Sequence, residues 1–179
     1  MTQQRLLLSG ALLDIMTSRL CQQLIENHDD FSDSVLLGLQ PRGIYLAERI
    51  ARKLHEETSQ AFQIGYLDAT FYRDDFRRRD MPLMPNKTKV PFLIEDKNVI
   101  LIDDVLATGR MVRAALDAMT AFGRPRKVEL LVLVDRCYNR DLPIEPDYVG
   151  TRVNTLDSQR IRMEWKEQGF DQDQVWLVD

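Results

Sequence analysis

Two adjacent carboxylates, Asp103 and Asp104, carry the strongest chemical signature in the chain. Neighbouring carboxylates repel, and a fold accepts them most readily where hydroxyl donors or a cation neutralise them. Just beyond them comes Ala107-Thr108-Gly109-Arg110-Met111, a run rich in small and polar residues. Small side chains let a ligand approach the backbone, and the free amides of a helix's first turn bind phosphate. Thr108 adds a hydroxyl. The acid pair and the turn together suit a ligand that carries both hydroxyls and a phosphate. The competing reading is an ordinary strand-to-helix turn, because many buried strands end in Asp and many helices begin with Thr or Gly. The doubled acid argues against it.

The elements that must position these groups flank them. Val99-Ile100-Leu101-Ile102 is a continuous apolar run of the kind that fills a buried parallel strand. Val112, Ala115, Leu116, Met119 and Phe122 recur at helical spacing, with Gly123 and Pro125 to end the helix. Upstream, Leu13, Met16, Leu20 and Leu24 mark a first helix, and Val35 to Leu39 a buried strand. Gln40-Pro41-Arg42-Gly43 is a second strand-to-helix turn, followed by a helix on Ala47, Ile50, Ala51 and Leu54. Residues 62–72 alternate loosely as a strand, and 128–134 form another buried one. This alternation predicts an α/β fold: a central, mostly parallel sheet flanked by helices. Ligands of such sheets bind outside the carboxyl ends of the strands, where both turns lie.

Residues 73–91 break the pattern with Arg77-Arg78-Arg79, Pro82, Pro85 and Pro91. A connection of that length is a functional lid or a solvated surface loop. After Arg140 the chain reads as irregular, with Pro143, Pro146 and Gly150, and short apolar segments at 161–165 and 175–177 suit edge strands or a hairpin. The length of 179 residues fits one domain with a real core. No apolar run approaches the about 18 residues that span a membrane. Cys21 and Cys137 stand far apart, as expected of a reducing cytoplasm, and with only His28 and His55 beside them they offer no zinc spacing. A net charge of −4 argues against a general nucleic-acid binder without excluding a local basic patch. No Walker-type GxxxxGK[ST] occurs. A receiver-like phosphoacceptor domain is disfavoured, because its lone acceptor Asp is not followed by a Thr-Gly-Arg helix start.

Residues 102–110, Ile-Asp-Asp-Val-Leu-Ala-Thr-Gly-Arg, resemble the phosphoribosyl-pyrophosphate (PRPP) motif of type I phosphoribosyltransferases, with wording closest to the PyrR-like pyrimidine-operon regulators. Residues 40–47, 72–75, 123–126, 131–136 and 142–144 are similar to that family in the same order, so the resemblance spans roughly residues 12 to 155. It implies the type I phosphoribosyltransferase fold as one domain over 1–179, with a flexible lid hairpin at about 73–91 and a small hood and edge segment at about 137–179. It implies a Mg²⁺-dependent transfer from PRPP to uracil, giving UMP and pyrophosphate. The alternative it implies is a uridine-nucleotide sensor that binds leader RNA and attenuates pyrimidine genes. A homodimer or higher homo-oligomer in the cytoplasm is expected.

The same resemblance assigns roles residue by residue. Asp103, Asp104 and Arg42 are the catalytic candidates, with Asp103 and Asp104 meeting the ribose hydroxyls and Mg²⁺. Ala107, Thr108, Gly109, Arg110 and Met111 would hold the 5′-phosphate. Arg42, Gly43, Arg73 and Asp74 would hold pyrophosphate. Val134, Asp135 and Arg136 would frame the base, read largely through backbone there and at 152–155. Arg19, Arg136 and Arg140 are the RNA contacts it suggests.

The chain also departs from the family. Pro41 stands where Thr is typical, removing an amide donor and lowering the cost of a cis peptide to about 1 kcal/mol. Ala107 replaces the Asp of purine enzymes and the Tyr of pyrimidine ones, and Met111 replaces a Thr, which predicts weaker PRPP binding. Residues 136–140 rewrite the family's Arg-Gly-His-Arg, and Gln22 stands where many relatives have His, both of which lean against strong RNA binding.

Overall fold

The computed structural model describes residues 4–74 and 85–179. Most of the expected lid, including Arg77-Arg78-Arg79 and Pro82, lies outside the described residues. The main sheet has five strands: β2 (Ser34–Leu39), β3 (Ile64–Leu67), β4 (Asn98–Leu106), β5 (Lys127–Cys137) and β6 (Tyr148–Asn154). They lie in the order β3-β2-β4-β5-β6, every pair parallel. The apolar run of β4 therefore sits at the centre and is buried on both faces, as its composition predicts.

Strand alternation distributes the core. Leu36, Ile100, Ile102, Leu131 and Leu133 face one side, where α1 (Gly10–His28) and α2 (Gly43–Thr58) cover them. Val35, Leu37, Val99, Leu101 and Val132 face the other, beneath α3 (Arg110–Met119). The expected face of α3 needs one correction. Leu116 is 38% exposed, while Val112, Ala115 and Met119 are buried as expected and Ala114 and Ala118 join them against the sheet.

Two strands carry too weak a sequence signal to be expected. β6 is an edge strand carrying Thr151, Arg152 and Asn154, too polar to stand out. β1 (Gln4–Leu8) pairs with β8 (Gln174–Val178), which pairs with β7 (Arg160–Glu164), all antiparallel. These three strands form a separate small sheet, the hood. The expected strand over 62–72 shrinks to β3, because the Asp68 carboxylate accepts the Thr70 amide at 2.9 Å and turns the chain. Thr88 Oγ1 accepts the Asp68 amide at 3.1 Å, and Tyr66 and Lys89 exchange backbone hydrogen bonds, so both legs of the 73–91 excursion are pinned at its base.

The hood is fastened through Arg49 of α2. Its guanidinium lies 4.5 Å from the ring centroid of Trp165, which is fully buried, and donates to both oxygens of Asp173 and of Glu167 at 2.7–3.0 Å. At the opposite, amino end of the main sheet, Glu129 accepts from Tyr148 at 3.1 Å and from Lys127, and meets His28 Nε2 at 2.6 Å.

Candidate active site

β4 continues past its apolar run and carries the acid pair inside the strand, Asp103 in register with Val132 of β5. Asp104 is 2% exposed, while Asp103 is half-buried and lines an open cleft. Burial pushes both carboxyls above the usual carboxylate range. At Asp103 the charge of Asp104 adds to that effect. At Asp104 the Arg42 guanidinium opposes it, with Nε 3.4 Å from Oδ2. That buried Oδ2 receives no hydrogen bond from the described residues. The strand thus holds negative charge in a place that favours neutralisation, which is what a cation or a set of hydroxyl donors supplies.

Arg42 and Gly43 reach the pair because β2 and β4 are neighbours and the turn after β2 passes over the end of β4. The Gln40–Pro41 peptide is cis. Gly43 opens α2 against the pair itself: a Cβ there would lie 2.6 Å from the Ile102 carbonyl oxygen and 3.0 Å from Asp103 Cα. Only glycine allows so close an approach.

The cleft of about 430 Å³ is lined by Arg73, Asp103, the end of β4 at Val105 and Leu106, the turn 107–109 and the start of α3, with Asp141 at its rim. Gly109 begins α3 at φ +87°, a left-handed conformation that glycine adopts without cost. The amides of that first turn form the helix's positive end. Thr108 Oγ1 accepts the Arg110 amide at 3.3 Å. Met111 packs partly against the core under α3. Arg110 points its guanidinium to Asp141, Nε to Oδ2 at 3.0 Å, and to Asp74. Asp74 from the base of the expected lid and Arg110 from the turn expected to hold phosphate are therefore brought together as an ion pair. Asp141 is a site residue that the motifs do not mark. Its sequence signal is no more than its place one residue after Arg140, in a stretch rewritten from the family pattern.

The residues at the carboxyl end of β5 divide. The Val134 side chain is wholly buried in the core. Asp135 is buried too, held by Arg140 at 2.5 Å and by Arg152 at 3.5 Å. It lines a second hollow of about 320 Å³ with Cys137, Arg140 and Leu142. Arg136, one step along the strand, donates instead to Thr155 Oγ1 at 3.0 Å and the Gln159 carbonyl at 2.7 Å, joining β5 to the hood. Arg140 also donates to the Ala107 carbonyl. Arg19 donates to the Val149 and Gly150 carbonyls of edge strand β6 at 3.2 and 2.5 Å.

Residues 8–168 match the family model described as the phosphoribosyl transferase domain. The chain belongs to the phosphoribosyltransferase family. Its curated relatives include proteins named "Bifunctional protein PyrR". That of Desulfosudis oleivorans is 44% identical over 156 residues, covering 87% of this chain and 86% of the relative. That of Enterococcus faecalis is 45% identical over 150 residues, covering 84% and 83%. That of Limosilactobacillus fermentum is 40% identical over 163 residues, covering 90% of each. The chain is thus a PyrR-like phosphoribosyltransferase. Among solved structures, the hypoxanthine–guanine enzyme of Leishmania tarentolae superposes with a TM-score of 0.74, covering 98% of this chain and 96% of that one at 15% identity. A hypoxanthine enzyme of Staphylococcus aureus gives 0.67 at 18% identity, covering 83% of this chain and 77% of that one. At such identities the likeness shows the fold.

The acid pair fits a magnesium ion. Mg²⁺ takes hard oxygen ligands, commonly one or two carboxylates completed by substrate phosphates and water. Asp103 and Asp104 are such a pair, with one buried oxygen that no described residue hydrogen-bonds. Among the described residues no cluster of three or more metal-binding side chains exists, so the remaining ligands would come from the substrate and water. No described helix is long and apolar enough to cross a membrane.

Proposed function

We propose that this phosphoribosyltransferase transfers the phosphoribosyl group of PRPP to uracil, giving UMP and pyrophosphate. The observation that carries the reading is the buried Asp103–Asp104 pair, set between the glycine turn at Gly43 and the amide-presenting start of α3. Three subsites for the three parts of PRPP converge there. The amides from Thr108 to Met111 take the 5′-phosphate. Asp103 and Asp104 accept hydrogen bonds from the ribose hydroxyls. Arg42 and the amides opening α2 take the pyrophosphate, with Arg73 at the cleft wall beside them.

The chemistry follows from those charges. As the bond from ribose C1′ to the pyrophosphate oxygen breaks, positive charge develops on the ribose. The carboxylates below it stabilise that charge without reorganising, while Arg42 stabilises the departing anion. Uracil N1 bonds to C1′ as the bond to pyrophosphate breaks, and the N1 proton passes through water to the departing pyrophosphate or to solvent. Mg²⁺, when bound, neutralises the pyrophosphate and lowers the repulsion between the carboxylates. Ala107 offers no carboxylate to manage a purine's proton, which disfavours a purine base. The PyrR-named relatives point the same way.

An RNA-binding attenuator draws no support from its three candidate arginines. Arg19, Arg136 and Arg140 each make hydrogen bonds within the chain. The deciding experiment incubates the protein with PRPP, Mg²⁺ and uracil, hypoxanthine, guanine or orotate in turn. UMP from uracil alone is expected; a purine nucleotide, or no nucleotide from any base, refutes the proposal. A titration with a short leader RNA at two salt concentrations tests the alternative.

A further inference from the structure

We infer that Arg140 is a positioning residue for the 5′-phosphate: it holds the loop 107–109 in its anion-binding orientation from behind. The inference rests on the reading of that loop as the phosphate subsite. The Arg140 guanidinium donates to the Ala107 carbonyl with one nitrogen and to Asp135 Oδ1 with another. The next carbonyl, that of Thr108, accepts two more hydrogen bonds, from the Asp141 amide at 3.0 Å and the Leu142 amide at 3.2 Å. Behind Gly109 stand Ile144 and Leu142, whose side-chain atoms would lie 3.3–3.5 Å from a Cβ at that position. One stretch, 140–144, therefore supplies every one of these contacts.

Peptide geometry gives the contacts their meaning. A trans peptide is planar, with N–H and C=O pointing in opposite directions. Fixing the Ala107 carbonyl toward Arg140 turns the Thr108 amide away from it. Fixing the Thr108 carbonyl toward Asp141 and Leu142 turns the Gly109 amide away as well. Consecutive amides are thereby set to converge on the cleft, where a phosphate takes them with α3's first turn. The anchor at the far end is firm. Asp135 is 5% exposed and carries a second guanidinium, Arg152, so Arg140 cannot leave it without weakening the neutralisation of a buried charge. The same Asp135 lies at the end of the strand expected to frame the base, so Arg140 ties the base side of the site to its phosphate side.

The test measures binding of ribose 5-phosphate and, separately, of pyrophosphate by calorimetry, for the wild type, Arg140→Lys and Arg140→Gln. In Arg140→Gln we expect ribose 5-phosphate to weaken about tenfold, as for the loss of a hydrogen bond to a charged group. Arg140→Lys, which keeps one charged donor, should recover part of that loss. Pyrophosphate, held by the Arg42 turn, should change less than about twofold, a selectivity that general unfolding would not give. Equal loss of both ligands in a folded Arg140→Lys, or no loss of ribose 5-phosphate, overturns the inference. If Arg140→Gln does not fold, Arg140→Lys decides alone. A wild type that binds pyrophosphate but no ribose 5-phosphate refutes the phosphate-loop reading itself, an outcome distinct from a wild type and variants that bind it equally.

Discussion

Replacing Gly43 by alanine tests the closest approach in the site. The added Cβ would meet the Ile102 carbonyl oxygen at 2.6 Å, Asp103 Cα at 3.0 Å and Asp103 Oδ1 at 3.1 Å. A carbon–oxygen contact normally needs about 3.3–3.6 Å, so the turn must retreat by roughly 0.7–1 Å. The obstructing atoms are mostly backbone of the central strand and cannot rotate aside. Overpacking of this kind costs about 1–3 kcal/mol, which in a chain of this size lowers Tm by roughly 3–10 °C. On the proposed function the catalytic cost is larger, because the retreating turn carries Arg42 and the amides proposed to hold pyrophosphate away from Asp103. A displacement near 1 Å costs on the order of 10²-fold in rate. The assay is a thermal melt beside steady-state kinetics with PRPP varied. Gly169→Ala is the control: nothing lies within 4 Å of its Cβ, and its φ of +92° costs stability alone. A Gly43→Ala protein with wild-type Tm and wild-type kcat/KM for PRPP would refute this reasoning.

Asp103→Asn removes a charge that burial and Asp104 both disfavour. It should raise Tm by a few degrees, about 1 kcal/mol, while nucleotide formation falls to background; a lower Tm would show that the acid pair is not strained. Arg49→Met strands Asp173 and Glu167 and removes the cation over Trp165. Allowing for partial exposure, it should cost about 2–3 kcal/mol, with hydrogen-exchange protection lost in β7 and β8 before β2 and β4. Acid stability follows Glu129 and Asp173. Burial alone would raise their pKa values, but Lys127, His28 and Tyr148 at Glu129, and Arg49 at Asp173, hold both below the ordinary range. Such groups contribute stability above their unfolded pKa, near about 4, and lose it as pH falls through the folded value. The wild type's advantage in urea midpoint over Glu129→Gln should therefore be constant from about pH 6 to 8 and shrink below about pH 4.5.

The centre of the fold is legible in the sequence because it obeys local rules. Val99 to Ile102 is apolar on every residue, as a doubly covered strand must be, and the two acids and the glycine turn that follow it are costly to keep anywhere but at a ligand site. The periphery is legible only in part: the apolar segments at 161–165 and 175–177 are β7 and β8, paired antiparallel, but β6 and β1 could not be read. β6 pairs on one edge only and tolerates Arg152 and Asn154, so its composition matches a loop. β1 is a strand because β8 lies beside it. Hydrophobicity places Leu116 on the buried face of α3, but Ala114 and Ala118 take its place there beside the expected Val112, Ala115 and Met119. Within the site, the residue types that bind phosphate and hydroxyls are readable, whereas the partners of Arg136 and Arg140 are not. The family resemblance suggests RNA contacts for them; only their hydrogen bonds show that Arg136, on β5, reaches toward the hood and Arg140, beyond the strand, reaches the loop 107–109.

The pairing of β1 with β8 also sets an order of events during synthesis. The body strands emerge from the ribosome in sequence, and their parallel partners, Val35 beside Val99 and Val99 beside Val128, are all synthesised before β7 and β8. β1 emerges before all of them, yet its hydrogen-bonding partner is the last described strand of the chain. Until then its apolar residues, Leu6 to Leu8, have no sheet to join. A nascent chain can thus possess the acid pair and both ligand turns while still lacking the hood, and chaperone dependence should centre on that interval.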